Sequence, residues 1–206
     1  MIDVLFSSPL LFIIIALGLI VAITIHEFAH AFIADKLGDP TPRYQGRVTL
    51  NPLAHLDPLG TIAILLTRFG WGKPVQYDPY NLKEPVRDTA LIALAGPLSN
   101  LILASLLSIL IHTVNLPEMV VYGIIQIMII NVMLALFNLV PVNPLDGGKI
   151  ILTLLPKKTA YEYESFMQRY GILVLLLLIF PLTGGASPVS RLISPAINLI
   201  MNLLLW

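Results

Sequence analysis

The sequence predicts an all-α polytopic membrane protein with about five full transmembrane helices and one re-entrant or interfacial segment at about 59–77. Three observations support this fold class: 57% of the 206 residues are hydrophobic, only 12% are charged, and the mean hydropathy is +0.86. Soluble domains carry about 25% charged residues. We expect one membrane-embedded domain over 1–206, with a core at about 9–155 and accessory C-terminal helices at about 159–206.

The first long apolar run has clear helix start and stop signals. Ser8 and Pro9 are typical of the N-cap and of the first helical position, and Gly38 is typical of a helix end. A helix from Pro9 to about Leu37 is therefore predicted. The remaining full crossings are predicted at 89–112, 118–140, 159–181 and 188–206, the third of these opening with a capping box at Thr159–Glu162.

The apolar run between Gly60 and Gly70 is too short to cross a bilayer and contains Arg68. If it does not cross, the three loops that carry Lys and Arg lie on one side of the membrane, which the positive-inside rule makes cytoplasmic. If it crosses, two of these loops face opposite sides. We favour the first arrangement, which predicts a multi-pass plasma-membrane protein with an external N-terminus. The basic loops are 36–47, 68–87 and 149–169.

Charge and cysteine content exclude several classes of function. The chain has 12 basic and 12 acidic residues, and no run of like charge indicates a nucleic-acid partner. Cysteine is absent, which excludes disulfides and thiolate metal sites. The expected partners are therefore the lipid bilayer and other membrane proteins, with no cofactor beyond a metal ion.

The most informative motif is His26-Glu27-Phe28-Ala29-His30, which lies inside the first predicted helix. A spacing of four residues places both imidazoles on one helical face, where one cation can bind both. Glu27 can take a proton from an attacking water and give it to a leaving amine. The alternative is a polar cluster where the helix leaves the membrane, but ionisable residues inside a bilayer are costly and usually functional.

Two histidines are one ligand short of a catalytic zinc site, which usually has three protein ligands. The candidates for the third ligand are Asp57, Asp146, His55 and His112. Asp146 is favoured because it follows the helix predicted at 118–140 within a Pro- and Gly-rich turn, on the same side of the membrane as the histidine motif. The alternative for Asp146 is a cap of the next helix, and His55 and Asp57 are typical of turn residues.

The pairing of His26–His30 with the segment Phe137–Gly148 (FNLVPVNPLDGG) resembles the site-2 protease family of intramembrane zinc metalloproteases. The similarity covers roughly residues 20–150, and it is closest to the compact subgroup without PDZ or CBS domains. The resemblance implies one Zn²⁺ ion held by His26, His30 and Asp146, with Glu27 as the acid/base.

The same resemblance implies an activity. It predicts hydrolysis of peptide bonds in or near transmembrane segments of membrane proteins, in regulated intramembrane proteolysis or in clearance. The position of the motif along the first helix and the placement of the basic loops predict an active site near the cytoplasmic side. Asn138 and Asn143 are candidate substrate contacts. Asn138 shares a helix face with Asn131, and the alternative for both is hydrogen bonding between helices.

Two rival functions remain open at this point. One is another class of membrane zinc protease, in which a glutamate supplies the third ligand. The available glutamates are Glu84, Glu118, Glu162 and Glu164. The other rival is a metal carrier without enzymatic activity, for which Glu27 would be dispensable.

Overall fold

A computed structural model describes residues 6–67, 70–181 and 185–206. Its described part contains eight α-helices and no β-strand, and one isolated antiparallel bridge pairs Leu56 with Gly72. The helices are α1 Pro9–Leu37, α2 Thr41–Tyr44, α3 Pro58–Thr67, α4 Pro85–Thr113, α5 Glu118–Asn138, α6 Asp146–Leu154, α7 Lys157–Ile179 and α8 Pro188–Leu204. Short 3₁₀ turns lie at Pro52–Ala54 and Pro79–Asn81.

Three helices, α1, α4 and α5, are long and apolar enough to cross a membrane. They confirm the predicted all-α polytopic membrane fold. The expected crossings by α7 and α8 stay predictions. With 17 residues, α8 is about 26 Å long at 1.5 Å per residue, slightly less than a bilayer core of about 30 Å.

The three spanning helices pack on one another, α6 packs on α4, and α8 packs on α5. Alanines are fully buried along α1, α4 and α5, including Ala22, Ala93 and Ala135. Small residues allow helix backbones to approach closely in a membrane, where burial of apolar surface does not by itself drive association. The tightly packed part of the chain therefore lies where α1, α4 and α5 meet.

The short segment begins with helix α3, and its re-entrant or interfacial placement stays a prediction. Helix α3 has ten residues, about 15 Å, which is half the thickness of a bilayer core. The bridge between Leu56 and Gly72 pairs two residues on either side of α3, which a re-entrant segment would require. Arg68, which the sequence places inside this segment, lies outside the described residues.

Several predicted helix boundaries were wrong. Thr159 does not cap a helix, because α7 begins two residues earlier at Lys157, after Pro156. Helix α4 begins at Pro85 rather than at residue 89, since a proline is well suited to a first helical turn. Ser8 occupies the N-cap of α1 as predicted, but its side chain makes no capping hydrogen bond.

The end of α1 is joined to a distant loop by Asp39, which is fully buried. Its carboxylate accepts hydrogen bonds from Thr41 Oγ1 at 2.6 Å, Asn81 Nδ2 at 2.8 Å and the Asp78 N–H at 2.7 Å. Burial alone would raise the pKa of Asp39, but these hydrogen bonds outweigh it and hold the pKa below its usual range.

We expect Asp39→Asn to lower the free energy of unfolding at pH 7 by about 1–3 kcal/mol, because it weakens charge-assisted hydrogen bonds. A carboxylate with a lowered folded-state pKa stabilises the fold above its unfolded pKa of about 3.9, and this stabilisation is lost as the pH falls through the folded-state pKa. Thermal unfolding in detergent should therefore show parent and variant converging below about pH 4. Glu84→Gln, at an exposed ion pair with Arg87, is the control. A difference independent of pH would contradict the prediction.

Candidate metal centre

Helix α1 places the two histidines of the motif one turn apart on its buried face. The relative exposure is 4% for His26 and 7% for His30. Their ring centroids are 4.6 Å apart, and the ring planes are nearly perpendicular, at 86°. Both imidazoles point from α1 towards α4 and the start of α6, as the spacing of four residues predicts.

Asp146, the first residue of α6, meets both imidazoles. Its Oδ2 atom lies 3.0 Å from His26 Nε2 and 3.1 Å from His30 Nε2. The Asp146 side chain is not a helix cap, because Leu145 holds the N-cap position of α6. Within the described residues, these three side chains form the one cluster of three or more metal-binding groups, with all ligand atoms within 4.8 Å of one another.

The Nδ1 atom of each imidazole lies within hydrogen-bond distance of an oxygen acceptor. His26 Nδ1 lies 2.7 Å from Asn100 Oδ1, and His30 Nδ1 lies 2.6 Å from the Ile92 carbonyl oxygen. Asn100 Nδ2 donates to the Ala22 carbonyl at 3.0 Å, which orients Asn100 Oδ1 towards His26. Each Nδ1 therefore carries the hydrogen, and each Nε2 presents its lone pair to Asp146.

In this tautomeric state the three side chains have the donor atoms that a metal ion requires. Two nitrogen lone pairs and a carboxylate oxygen face one another, which is unfavourable unless a cation lies between them. Protonation of both imidazoles, in place of a bound cation, would put two positive charges side by side in an apolar helix, which is costly. Zinc bound to nitrogen and oxygen at about 2.0–2.2 Å in a tetrahedron places its ligand atoms about 3.3 Å apart, close to the 3.0 and 3.1 Å between Asp146 Oδ2 and the two Nε2 atoms. The donor set thus fits zinc.

Glycine at position 96 allows α4 to approach the centre. A Cβ atom at Gly96 would lie 2.4 Å from His30 Nε2 and 2.6 Å from His26 Nε2. Real Cβ contacts are essentially never this short. The backbone of α4 therefore closes one side of the cluster, with no space for any side chain at this position.

Glu27 lies beside the cluster with a side-chain exposure of 15%. Its Oε2 atom accepts a hydrogen bond from the Val75 N–H at 3.2 Å and lies 3.8 Å from Arg47 Nη2. Both His26 and Glu27 line a cavity of about 540 Å³. This position, in a cavity and next to two imidazoles, suits a group that exchanges protons with a bound reactant.

The cavity is lined mostly by apolar side chains from α1, α5, α7 and α8, and by the chain at 70–74. Asn138 belongs to this lining, and its Nδ2 donates to the Leu134 carbonyl at 3.0 Å. Asn143 lies outside the lining and packs against α6, where a Cβ at Gly148 would be 2.2 Å from Asn143 Oδ1. The roles predicted for Asn138 and Asn143 stay predictions.

The other candidate ligands lie elsewhere. His55 is fully buried and its Nε2 bonds to the Thr49 carbonyl at 2.8 Å, while Asp57 accepts from the Gly60 N–H at 2.7 Å, so both support turns. His112 lies at the far end of α4, against Trp206. The four glutamates of the rival protease class are all exposed and outside the cluster, namely Glu84, Glu118, Glu162 and Glu164.

Asn100 is the site residue that the sequence interpretation missed. Besides His26, it bonds to Asn131 Oδ1 at 2.8 Å, and Asn131 in turn donates to the Ile127 carbonyl at 2.9 Å. Asn131 therefore takes part in a hydrogen bond between α4 and α5, which is the alternative role given above for this residue. An uncharged amide in the middle of an apolar span was the available signal, since such a group must find a partner inside the protein.

Comparison with known proteins identifies the family of the chain. The profile of "Peptidase family M50" matches residues 109–178. The chain is 42% identical over 173 residues to "Putative zinc metalloprotease YwhC" of Bacillus subtilis, covering 80% of this chain and 78% of that protein. It is 32% identical over 178 residues to "Putative zinc metalloprotease Rip2" of Mycolicibacterium smegmatis, covering 82% and 68%. No solved structure matches the chain. The chain therefore belongs to peptidase family M50, the site-2 protease family, and is a membrane zinc metalloprotease.

Proposed function

We propose that this protein hydrolyses peptide bonds in or near the transmembrane segments of other membrane proteins. In this proposal His26, His30 and Asp146 hold one zinc ion, and Glu27 is the acid/base. The observation that carries it is the convergence of three metal-binding side chains beside Glu27 at the wall of an apolar cavity. Zinc, when bound, supplies Lewis acidity for the scissile carbonyl and the attacking water.

The chain's own residues have distinct tasks in this reaction. Asn100 and the Ile92 carbonyl hold the two imidazoles in the tautomer that leaves Nε2 free to bind a metal. Glu27 takes a proton from the attacking water and returns it to the leaving amine. The helices around the site limit the access of bulk water, which strengthens electrostatic interactions within it.

The cavity suggests the kind of substrate. Its lining is predominantly apolar, with Asn138 as the polar group on α5 opposite His26 and Glu27 on α1. Such a lining suits the apolar side chains of an unwound transmembrane segment, and an amide can hydrogen-bond the peptide groups that unwinding exposes. We assign this contact to Asn138, with Asn143 as a second candidate near Asp146.

We place the site near the cytoplasmic face of the plasma membrane. Glu27 is about 27 Å along α1 from Pro9 at 1.5 Å per residue, which is nearly the full depth of a bilayer core. Lys36 lies in the last turn of α1, and Arg43 and Arg47 follow this helix, whereas the connection between α4 and α5 has no Lys or Arg. Basic loops favour the cytoplasm, so water would reach the site from that side.

A cleavage assay with Glu27→Gln tests the proposal. The protein is co-expressed with a panel of single-span membrane proteins tagged at both ends, and fragments are followed by immunoblotting. We expect the parent to release fragments from at least one substrate, and Glu27→Gln to slow this cleavage about 10²–10⁴-fold, because it removes the acid/base. Zinc content should stay near the parental level, since glutamine at this position leaves the three ligands in place.

The matched control is Glu84→Gln, which changes an exposed glutamate remote from the cavity. It should cleave like the parent. Equal cleavage by the parent and Glu27→Gln would contradict the proposed role of Glu27.

A further inference from the structure

Residues 72–78, here termed the strap, form a segment outside the helices, and its residues Gly72 and Pro74 line the cavity. Its first residue, Gly72, pairs with Leu56 through the antiparallel bridge. Its last residue, Asp78, donates its N–H to the buried Asp39. The strap is thus attached at both ends to the loops that follow α1.

The middle of the strap contacts Glu27. The Val75 N–H donates to Glu27 Oε2 at 3.2 Å. Glu27 Oε1 points towards Gly72, where a Cβ atom would lie 3.7 Å away. One carboxylate oxygen is therefore held by the protein, whereas the other accepts no hydrogen bond from the described residues.

Arg47 connects the strap to this carboxylate. Its guanidinium donates to the Lys73 carbonyl oxygen, reaches the Pro74 carbonyl at 3.5 Å, and lies 3.8 Å from Glu27 Oε2. It is only 3% exposed. The Arg47 guanidinium thus contacts the carbonyl groups just before Val75 in the strap. It also lies near Glu27 Oε2, the atom that accepts the Val75 hydrogen bond.

The cost of burying Arg47 indicates more than a structural role. Its Nε–H is buried and has no hydrogen-bond partner among the described residues. A buried charge with an unsatisfied donor contributes poorly to stability, and apolar residues often replace such ion pairs without loss. A function in positioning the carboxylate explains why a guanidinium, with its planar set of donors, occupies this place.

We propose that Arg47 is a positioning residue that, through the strap, aims the Glu27 carboxylate for proton transfer. The inference rests on the proposed function, in which Glu27 is the acid/base. Arg47 holds the carbonyls of Lys73 and Pro74 and thereby places the Val75 N–H on Glu27 Oε2. Oε1 is then the oxygen that faces the reactant. A general base works only within hydrogen-bond reach of the proton it takes, so a displaced carboxylate lowers the rate of the chemical step.

The test compares three variants of the full-length protein in detergent with one cleavable membrane-protein substrate. Arg47→Gln removes the charge and most of the donors, whereas Arg47→Lys keeps the charge. Arg43→Gln is the matched control, because Arg43 is an exposed arginine of the nearby helix α2 and pairs with Asp35. The measurements are kcat, KM, zinc content, and hydrogen exchange of the strap amides by mass spectrometry.

We expect Arg47→Gln to lower kcat about 10- to 100-fold, a range typical of small displacements of a catalytic group, with KM changed much less. Strap amides should exchange faster and zinc content should stay parental. Arg47→Lys should recover part of kcat, and Arg43→Gln should match the parent. If Arg47→Gln does not fold, a kcat of Arg47→Lys below the parental value at parental zinc content supports the inference.

Parental kcat in either folded Arg47 variant would overturn the inference and leave the proposed function intact. A fall in zinc content that matches the fall in kcat would also overturn it, because Arg47 would then support the fold or the metal centre. Glu27→Gln is assayed alongside. Cleavage that does not depend on Glu27 would refute the proposed function, and the inference with it.

Discussion

The Asp146→Ala variant should purify with little or no zinc and should not cleave any substrate. Oδ2 of Asp146 is the atom at which the two imidazole nitrogens converge, at 3.0 and 3.1 Å. Without it only two protein ligands remain, one fewer than catalytic zinc sites usually have. Losing a supporting group outside the ligand sphere already weakens metal binding about 10- to 100-fold, so losing a ligand should cost at least as much. Elemental analysis of the purified protein gives zinc per chain.

Asp57→Ala is the control for this prediction. Asp57 was a candidate ligand, but its carboxylate bonds to the Gly60 N–H and supports the turn before α3. Its loss should leave zinc content at the parental level. Intact zinc in Asp146→Ala would point to a ligand from another helix, as in the rival class with a glutamate.

A single methyl group at position 96 should be nearly as damaging. The Cβ of an alanine there would lie 2.4 Å from His30 Nε2 and 2.6 Å from His26 Nε2. These contacts are far inside van der Waals distance, so the imidazoles or the whole of α4 must move. We expect Gly96→Ala to lose zinc and cleavage together, with at least about a 100-fold loss of activity, since even a 1 Å displacement can have that effect.

Gly123→Ala is a matched control, because Gly123 is also a buried glycine within a spanning helix. A Cβ there would lie 3.5 Å from Ile14 Cδ1, which is an ordinary contact. Both substitutions replace a helical glycine by the residue with the highest helix propensity, so propensity cannot explain a difference between them. Parental zinc content in Gly96→Ala would show that α4 does not lie so close to the imidazoles.

The features that the sequence predicted well depend on local patterns. Helix α1 runs from Pro9 to Leu37 as predicted, because a proline at the start and a glycine at the end act through their own backbone preferences. Gly38 has a φ of 113°, the left-handed conformation expected of a glycine stop. The shared face of His26 and His30 also follows from helix geometry alone. Asp146 was harder to predict as the third ligand, because no local rule brings α6 to α1. The family resemblance supported its choice over the other candidates.

The features that were missed depend on contacts between distant parts of the chain. Asn100 lies 74 residues from His26, and Val75 lies 48 residues from Glu27. Neither partner can be identified from hydropathy or helix period. The wrong capping box at Thr159–Glu162 shows the opposite error, in which a local motif was present but Pro156 already determined where α7 begins.

The metal centre joins parts of the chain that are synthesised at very different times. His26 and Asp146 are 120 residues apart, and α4, which carries Asn100 and Gly96, lies between them in sequence. A ribosome finishes the first spanning helix long before it reaches the aspartate, so a partly made chain has an incomplete set of ligands. Because metal ligation and folding are coupled in such sites, the proposed set of ligands is complete only after α6 has been made.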